Sequence, residues 1–410
     1  MPSTHDPQSP GPAAGAGPTE EQLARVALTW LAEPGNETVH RMVAEVGAVE
    51  ALARLCAGRE LGEATRVSAA ARLATADPIE VATAAVDRAV RAGGRLVTPE
   101  TTEWPRQIED LHRLTRHGAR ATTADGTGVR QGAPPLALWV RGPLAVDAAL
   151  ARSVAVVGTR APTDYGRHVC GEFSHGLATR GWTIVSGGAY GIDACAHRGA
   201  LAAGGPTVAV LACGIDRPYP AGNAAMFDQI AETGLLVSEW LPGAEPLRHR
   251  FLTRNRLIAA ATAGTVVVEA GARSGAAQTI RRALALGRAA MVVPGPITSA
   301  VSVGCHEILR DHPQARLVAG VAHVQEEIGR IGVDLAPTPR GPQRPRDALD
   351  PRSARVLEAV PGRGWIDLDD LSGRAGVDIR STMRAVTELQ TKGLLAGADG
   401  RYRLPPPKRA

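Results

Sequence analysis

Lysine is nearly missing from this 410-residue chain: Lys392 and Lys408 are the only two, so 44 of its 46 basic residues are arginine. Arginine presents a planar fork of donors that grips phosphate and stacks on flat rings, which suits nucleic acid. The codon bias of a GC-rich genome produces the same ratio, along with abundant alanine and glycine, so position carries more information than number. Aromatic residues make up only 3%, leaving few side chains for base stacking. The five cysteines (Cys56, Cys170, Cys195, Cys213 and Cys305) are scattered and include no Cys-x-x-Cys pair. That pattern argues against a disulfide framework or zinc site and fits reduced thiols in a cytoplasm. No uninterrupted apolar run approaches membrane-spanning length, and the N-terminus lacks a charged-then-apolar leader pattern, so a cytoplasmic protein without membrane contact is expected. A Gly-Lys-Ser/Thr phosphate loop is also missing, and ATP hydrolysis is not expected.

What is present is a series of short apolar runs: Val154 to Val157, Thr183 to Val185, Thr207 to Ala212, Leu235 to Val237, Thr265 to Val268 and Ala289 to Val293. The stretches between them have helical period and length. Alternating strand and helix patterns predict an α/β fold, an extended Rossmann-like, doubly wound parallel sheet. Three segments rich in small residues follow such runs, Gly158-Thr159-Arg160, Ser186 to Gly191 and Gly214-Ile215-Asp216, and a fourth segment, Arg254-Asn255-Arg256, is expected at the same edge. In such a sheet the carboxyl ends of strands and amino ends of helices share one edge, where unpaired N–H groups face any bound anion. One glycine loop is an ordinary turn; several together with arginine predict a phosphate-binding rim.

The flanks differ in composition. Residues 1–19 are dominated by small residues and proline and read as a disordered tail. Residues 20–92 have helical periodicity and predict a small bundle, and 93–335 hold the sheet domain, with a mobile insertion from Thr115 to Gly132. Residues 336–350 form a Pro/Arg-rich linker. Residues 351–404 predict three helices and a hairpin, a winged helix whose third helix carries Arg380 and Arg384 and whose wing carries Arg401 and Arg403. Asp367, Asp369 and Asp370 would repel a duplex on one side, so DNA contact and protein contact both stay open for this module.

The run from Val154 to Gly166 resembles the first strand and loop of the DNA-processing protein A (DprA, also called Smf) family. Ser186 to Asp193, Val210 to Pro220 with Asn223, Ser238-Glu239, Arg254-Asn255-Arg256, Ser274-Gly275 and Pro294-Gly295 follow in that family's order. Departures occur at Ala221, where a basic residue is common, at Phe251-Leu252 and at Ser274 to Ala277. The resemblance implies a SAM-like N-terminal bundle, a central sheet and a C-terminal winged helix. It also implies a protein without enzymatic activity or cofactor that binds single-stranded DNA, protects it during natural transformation and assists RecA loading. The residues it points to are Gly158, Arg160, Ser186, Gly187, Tyr190, Gly191, Arg198, Tyr219, Asn223, Arg254, Asn255, Arg256, Ser274 and Gly275. A homodimer is expected through the region around Ile308 and Leu309.

Within that frame, Arg160 is expected to meet a DNA phosphate. Arg254 and Arg256, placed at the opening of a helix, diverge by about 200°, so one of them braces the loop instead. Arg256 could pair with Glu269. Asp193 and His197 stand four apart; the expected reading is a helix cap and a packed histidine rather than a metal or acid–base pair. Tyr165, Tyr190, Tyr219 and Phe251 are the candidates for stacking on bases. Two rival readings are a nucleotide phosphoribohydrolase of the LOG type, for which the stretch after Glu269 lacks the glutamate, and a nucleotide-sensing regulator that reads duplex DNA.

Overall fold

The computed structural model describes residues 17–58, 62–116, 132–272, 274–330, 334 and 346–406. The expected tail up to residue 16, most of the insertion near residues 115–132 and most of the linker near 336–350 lie outside the described residues. The chain divides into two compact units, Met1–Ala336 and Pro337–Ala410.

The first unit opens with five helices: α1 (Glu20–Leu31), α2 (Glu37–Val46), α3 (Ala48–Cys56), α4 (Glu63–Leu73) and α5 (Pro78–Arg91). Local chemistry sets their starts. Thr19 and Gln22 form a reciprocal capping box on α1, and Asp77 caps α5 with Pro78 in its first turn. Their apolar faces, including Leu28, Leu31, Leu55 and Ala89, close one core that also takes in Trp139 and Ile215 from the sheet region. The bundle and the sheet therefore share buried surface, and residue 92 is not a packing boundary.

The sheet follows. Strands β1 (Gly94–Val97) and β2 (Leu138–Arg141) pair antiparallel, with short helices α6 (His112–Arg116) and α7 (Val146–Ala151) nearby in sequence. The parallel part alternates β3 (Ser153–Val157), α8 (Asp164–Thr179), β4 (Thr183–Ser186), α9 (Ile192–Ala202), β5 (Thr207–Leu211), α10 (Ala224–Thr233) and β6 (Leu235–Ser238). It continues through α11 (Arg248–Ala260), β7 (Gly264–Val267), α12 (Gly275–Ala285), β8 (Ala289–Val292), α13 (Val303–Asp311), β9 (Arg316–Leu317) and α14 (Val321–Ile328). Among the described residues the strand order is β1-β2-β6-β5-β4-β3-β7-β8-β9. Every residue of β3 to β7 is buried, because helices cover both faces of a parallel sheet. The chain reverses its direction of winding between β3, whose next strand in sequence lies on one side, and β7, which pairs on the other. Crevices in open α/β sheets form at that switch point.

The second unit holds α15 (Pro351–Ala359), β10 (Ile366–Asp367), α16 (Leu368–Ala375), α17 (Ile379–Thr391), β11 (Ala396–Ala398) and β12 (Arg401–Arg403). The three strands pair antiparallel in the order β10-β12-β11. Asp350, Asp367 and Asp378 cap the three helices, and Val356, Leu371, Val386 and Leu389 form the core. Arg403 lies over the Trp365 ring at 4.5 Å, tying the last strand to the loop before β10.

Candidate phosphate-binding rim

The loops after β3 and β4 lock together at the switch point. The Thr159 N–H donates to the Glu269 carbonyl at 2.7 Å, and the Ile192 N–H donates to the Thr159 carbonyl at 3.1 Å. Gly158 has no room for a side chain, since a Cβ there would stand 2.6 Å from the Ile192 side chain. Gly191 has φ +85°, and its Cβ would fall 2.3 Å from the Thr159 carbonyl oxygen. Glycine is required at both by close approach, and at Gly191 also by backbone conformation. The amides of Arg160, Gly188, Tyr190 and Gly191 donate to no protein acceptor among the described residues. Gly191 leads directly into α9, whose amino end has no side-chain cap. The Ile192, Ala194 and Cys195 N–H groups donate to the carbonyls of Thr159, Ala189 and Gly191, so the amides open to an anion are those of the preceding loop and of Asp193.

The amino end of α8 is different. Glu269 accepts from the Thr163 N–H at 2.9 Å and from its hydroxyl at 2.6 Å. Gly166 makes room for this carboxylate, because a Cβ there would sit 2.2 Å from Oε2. An internal anion already fills that position. Pairing of Glu269 with Arg256, expected from the sequence, is therefore corrected: Glu269 holds Thr163, the residue that caps α8, and Arg256 pairs with Glu239 at 2.5 Å.

Arg160 is exposed, and its guanidinium makes no hydrogen bond or ion pair among the described residues; it lies 5.6 Å from the centroid of the Phe251 ring. Tyr190 and Tyr219 are 51% and 48% exposed, and Tyr219 meets Phe251 edge-on at 5.9 Å. Tyr190 crosses Gly222, where a Cβ would stand 2.6 Å from its hydroxyl. Tyr165, also exposed, donates its hydroxyl to the Pro294 carbonyl at 2.7 Å. A free cation, open amides and half-exposed rings thus meet on one rim.

Other residues singled out from the sequence support this rim from behind. Ser186 is buried and donates to the Val156 carbonyl at 2.7 Å. Asn223 is buried, donates to the Gly188 carbonyl at 3.0 Å and accepts from exposed Arg198 at 3.4 Å. Arg254 and Arg256 do not open a helix: α11 starts six residues before Arg254, and both side chains are buried. Arg254 lies flat against Gly187, where a Cβ would be 2.3 Å from its guanidinium, and donates to the carbonyls of Gly187 at 2.8 Å and Val210 at 2.5 Å. Arg256 is 0% exposed, so direct DNA contact by it is corrected to a buried brace. Asn255 bridges Arg254 Nε and the Gly275 carbonyl, and Ser274 caps α12 through the Ala276 N–H.

Burial also shifts the titration of the groups behind the rim. Asp193 does not cap α9; it sits in the first turn beside Ser186 and the Ala189 amide. Burial pushes its pKa up against the pull of Arg254. His197 is fully buried, with Nδ1 2.7 Å from Thr207 Oγ1, whose own hydroxyl donates to the Ile184 carbonyl. The ring must therefore donate to Thr207. Burial, then Arg254 and Arg198, push its pKa down to about 3, keeping it neutral. Glu239 is pushed up by burial while Arg256 opposes. No cluster that could hold a metal ion occurs among the described residues.

One sequence expectation turns out differently. The third loop serves the bundle rather than the rim: Ile215 is buried in the bundle core, and Asp216 pairs with Arg88 of α5 at 2.6 Å. Ile308 is buried in the sheet core and Leu309 is partly buried against it. The exposed apolar residues of this region are Ile297, Val303 and Leu317. The Glu239–Arg256 pair joins two motifs that stand 17 residues apart in sequence, and spacing alone does not signal it.

Comparison with known proteins agrees with this layout. The family model for DNA recombination-mediator protein A matches residues 120–329. A DNA processing protein DprA of Mycobacterium tuberculosis is 43% identical over 377 residues, which span 92% of each chain. Protein Smf of Escherichia coli is 34% identical over 273 residues, covering 65% of this chain and 71% of its own. The X-ray structure of DprA from Streptococcus pneumoniae superposes with a TM-score of 0.54 at 28% identity, covering 75% of this chain and 98% of that one. With the family's motifs gathered at the β3–β7 switch point and a relative matched along nearly its whole length, this chain belongs to the DNA-processing protein A (DprA/Smf) family.

Proposed function

We propose that this protein binds single-stranded DNA along the rim formed by the β3 and β4 loops, protects incoming strands and assists RecA loading during natural transformation. The observation that carries the binding reading is the unpaired, exposed Arg160 beside the open amides of the loop that leads into α9. A phosphate placed there takes charge-assisted hydrogen bonds from the guanidinium and from backbone amides. Tyr190, Tyr219 and Phe251 supply ring faces for bases, and the backbone supplies most of the affinity. Binding is then blind to sequence and strongly salt-dependent. The roles in transformation and with RecA rest on family membership, as do a cytoplasmic location, a homodimer and the absence of enzymatic activity. The three-part division into a helical bundle, a sheet domain and a winged helix is part of the same proposal.

Fluorescence anisotropy with single-stranded and duplex oligonucleotides over a salt series tests it. We expect preference for the single strand and a steep loss of affinity with salt. Equal affinity for duplex, or release of base from nucleoside monophosphates by the protein, would refute it.

A further inference from the structure

Two cysteines far apart in sequence meet where α8 packs on α9. Both helices follow parallel strands, so they run side by side in the same direction. Their register is set at Gly199, where a Cβ would lie 2.9 Å from the Ser174 Cβ and 3.0 Å from the Gly171 carbonyl oxygen. Backbone rests nearly on backbone there. One turn back along each helix places Cys195 against Arg167 and Cys170. The hydrogen bonds agree: the Cys195 thiol donates to the Arg167 carbonyl at 3.2 Å, and the Cys170 thiol donates to the Ile192 carbonyl at 3.4 Å. Each sulfur thus reaches the carbonyl three residues before its counterpart, which brings the two thiols side by side at the helix contact.

Their surroundings differ. Cys170 is fully buried, whereas Cys195 is partly exposed. The neighbouring Cys170 thiol, and then Arg198 and Arg167, hold the Cys195 pKa down to about 7 against its burial. The neighbouring Cys195 and burial push the Cys170 pKa well up. One sulfur is a reachable thiolate near neutral pH, and the other is a protected thiol beside it, the pairing used by a reactive cysteine and its resolving partner.

We propose that Cys170 and Cys195 form a peroxide-sensitive dithiol that closes reversibly to an intramolecular disulfide between α8 and α9. The Cys195 thiolate attacks one oxygen of hydrogen peroxide. An S–O bond forms, the O–O bond breaks, and the departing hydroxide takes up a proton to become water. The Cys170 sulfur then attacks the sulfur of the resulting sulfenic acid. An S–S bond forms, the S–O bond breaks, and a second water leaves with the Cys170 proton. Two thiols and one peroxide give one disulfide and two waters, so sulfur loses two electrons and peroxide gains them. A dithiol reductant reverses the change. The close helix approach suits the roughly 4.4–6.8 Å Cα separation that a disulfide spans.

The test treats the full chain with a few equivalents of hydrogen peroxide at neutral pH, blocks residual thiols with N-ethylmaleimide and maps the peptides by mass spectrometry. We expect a Cys170–Cys195 crosslink that dithiothreitol removes, while exposed Cys56 is recovered as the maleimide adduct. In Cys170→Ala the crosslink is lost, and Cys195 is instead trapped as a sulfenic acid by dimedone. Circular dichroism confirms that the variant is folded, and Cys195→Ser, at a less buried position, gives an independent loss of crosslink. Recovery of both cysteines as separate maleimide adducts after peroxide, or over-oxidation of Cys195 without a crosslink in the wild-type chain, overturns the proposal.

Discussion

Replacing Arg160 with alanine separates binding from stability more cleanly than any other change on the rim. Its guanidinium touches only the Phe251 ring, at 5.6 Å, and an exposed cation–π contact of this kind is worth about 0.5–1 kcal/mol. The melting temperature should therefore fall by no more than about 4 °C. A charge-assisted hydrogen bond to phosphate contributes about 1.5–3 kcal/mol, so the affinity for a single strand should fall roughly tenfold to 150-fold at low salt. Losing one phosphate contact should also flatten the plot of log K against log salt by about 0.7. Arg180, at the far end of α8, is the control: Arg180→Ala should leave both readouts near wild type. Anisotropy titration at four or five salt concentrations, with thermal denaturation in parallel, measures all three quantities. An Arg160→Ala protein that melts normally and keeps wild-type affinity and salt slope would remove the proposed phosphate position.

Arg256→Ala should act in the opposite manner, since it strands Glu239, 1% exposed, without its cation; breaking such a pair costs about 3–5 kcal/mol, and urea denaturation showing a loss under about 1 kcal/mol would contradict the bracing role. Gly191→Ala and Gly181→Ala both force a side chain onto positive φ, but only at Gly191 does the Cβ strike other atoms, the Thr159 carbonyl oxygen at 2.3 Å. Gly181→Ala should cost only about 1 kcal/mol of backbone strain, whereas Gly191→Ala should cost more and abolish single-strand binding; equal stabilities would argue against the tight loop. Burial pushes His197 down to about 3 and, with Arg256 and Arg25, His40 down to about 4. Between these values and the ordinary 6.5 the unfolded chain binds protons that the folded chain does not, so stability should fall as pH drops from about 6.5 toward 4. His40→Gln should reduce that slope in urea titrations, and an unchanged slope would exclude His40 as a contributor.

The parallel strands were legible because burial on both faces leaves near-continuous apolar runs, and the loops because glycine marks each turn into a helix. β9 was not, since Arg316 and Leu317 are exposed and have no apolar pattern. Which carboxylate meets Arg256 could not be read from spacing: Glu239 and Glu269 both end strands flanking the site, and only the strand order decides between them. The same limit hid the use of Asp216, whose partner Arg88 lies 128 residues away on another element. Ile308 and Leu309 are neighbours on α13, and sequence alone does not tell which side of a short helix turns toward the sheet. The start of α11 is hidden from the sequence because Leu247 leaves its amino end without a side-chain cap, so no Ser, Thr, Asp or Asn announces it.

The position of Arg254 beneath Gly187 has an electronic effect on the loop above it. A peptide group whose oxygen is held by a guanidinium is polarised, and its nitrogen-bound hydrogen becomes more positive. The Gly187–Gly188 peptide is held in this way, by a cation out of reach of solvent and of salt. Part of the rim's attraction for anions is thus built into rigid backbone, and ionic strength should screen that part less than it screens Arg160. The residual affinity at high salt should therefore depend on a side chain that never touches the ligand.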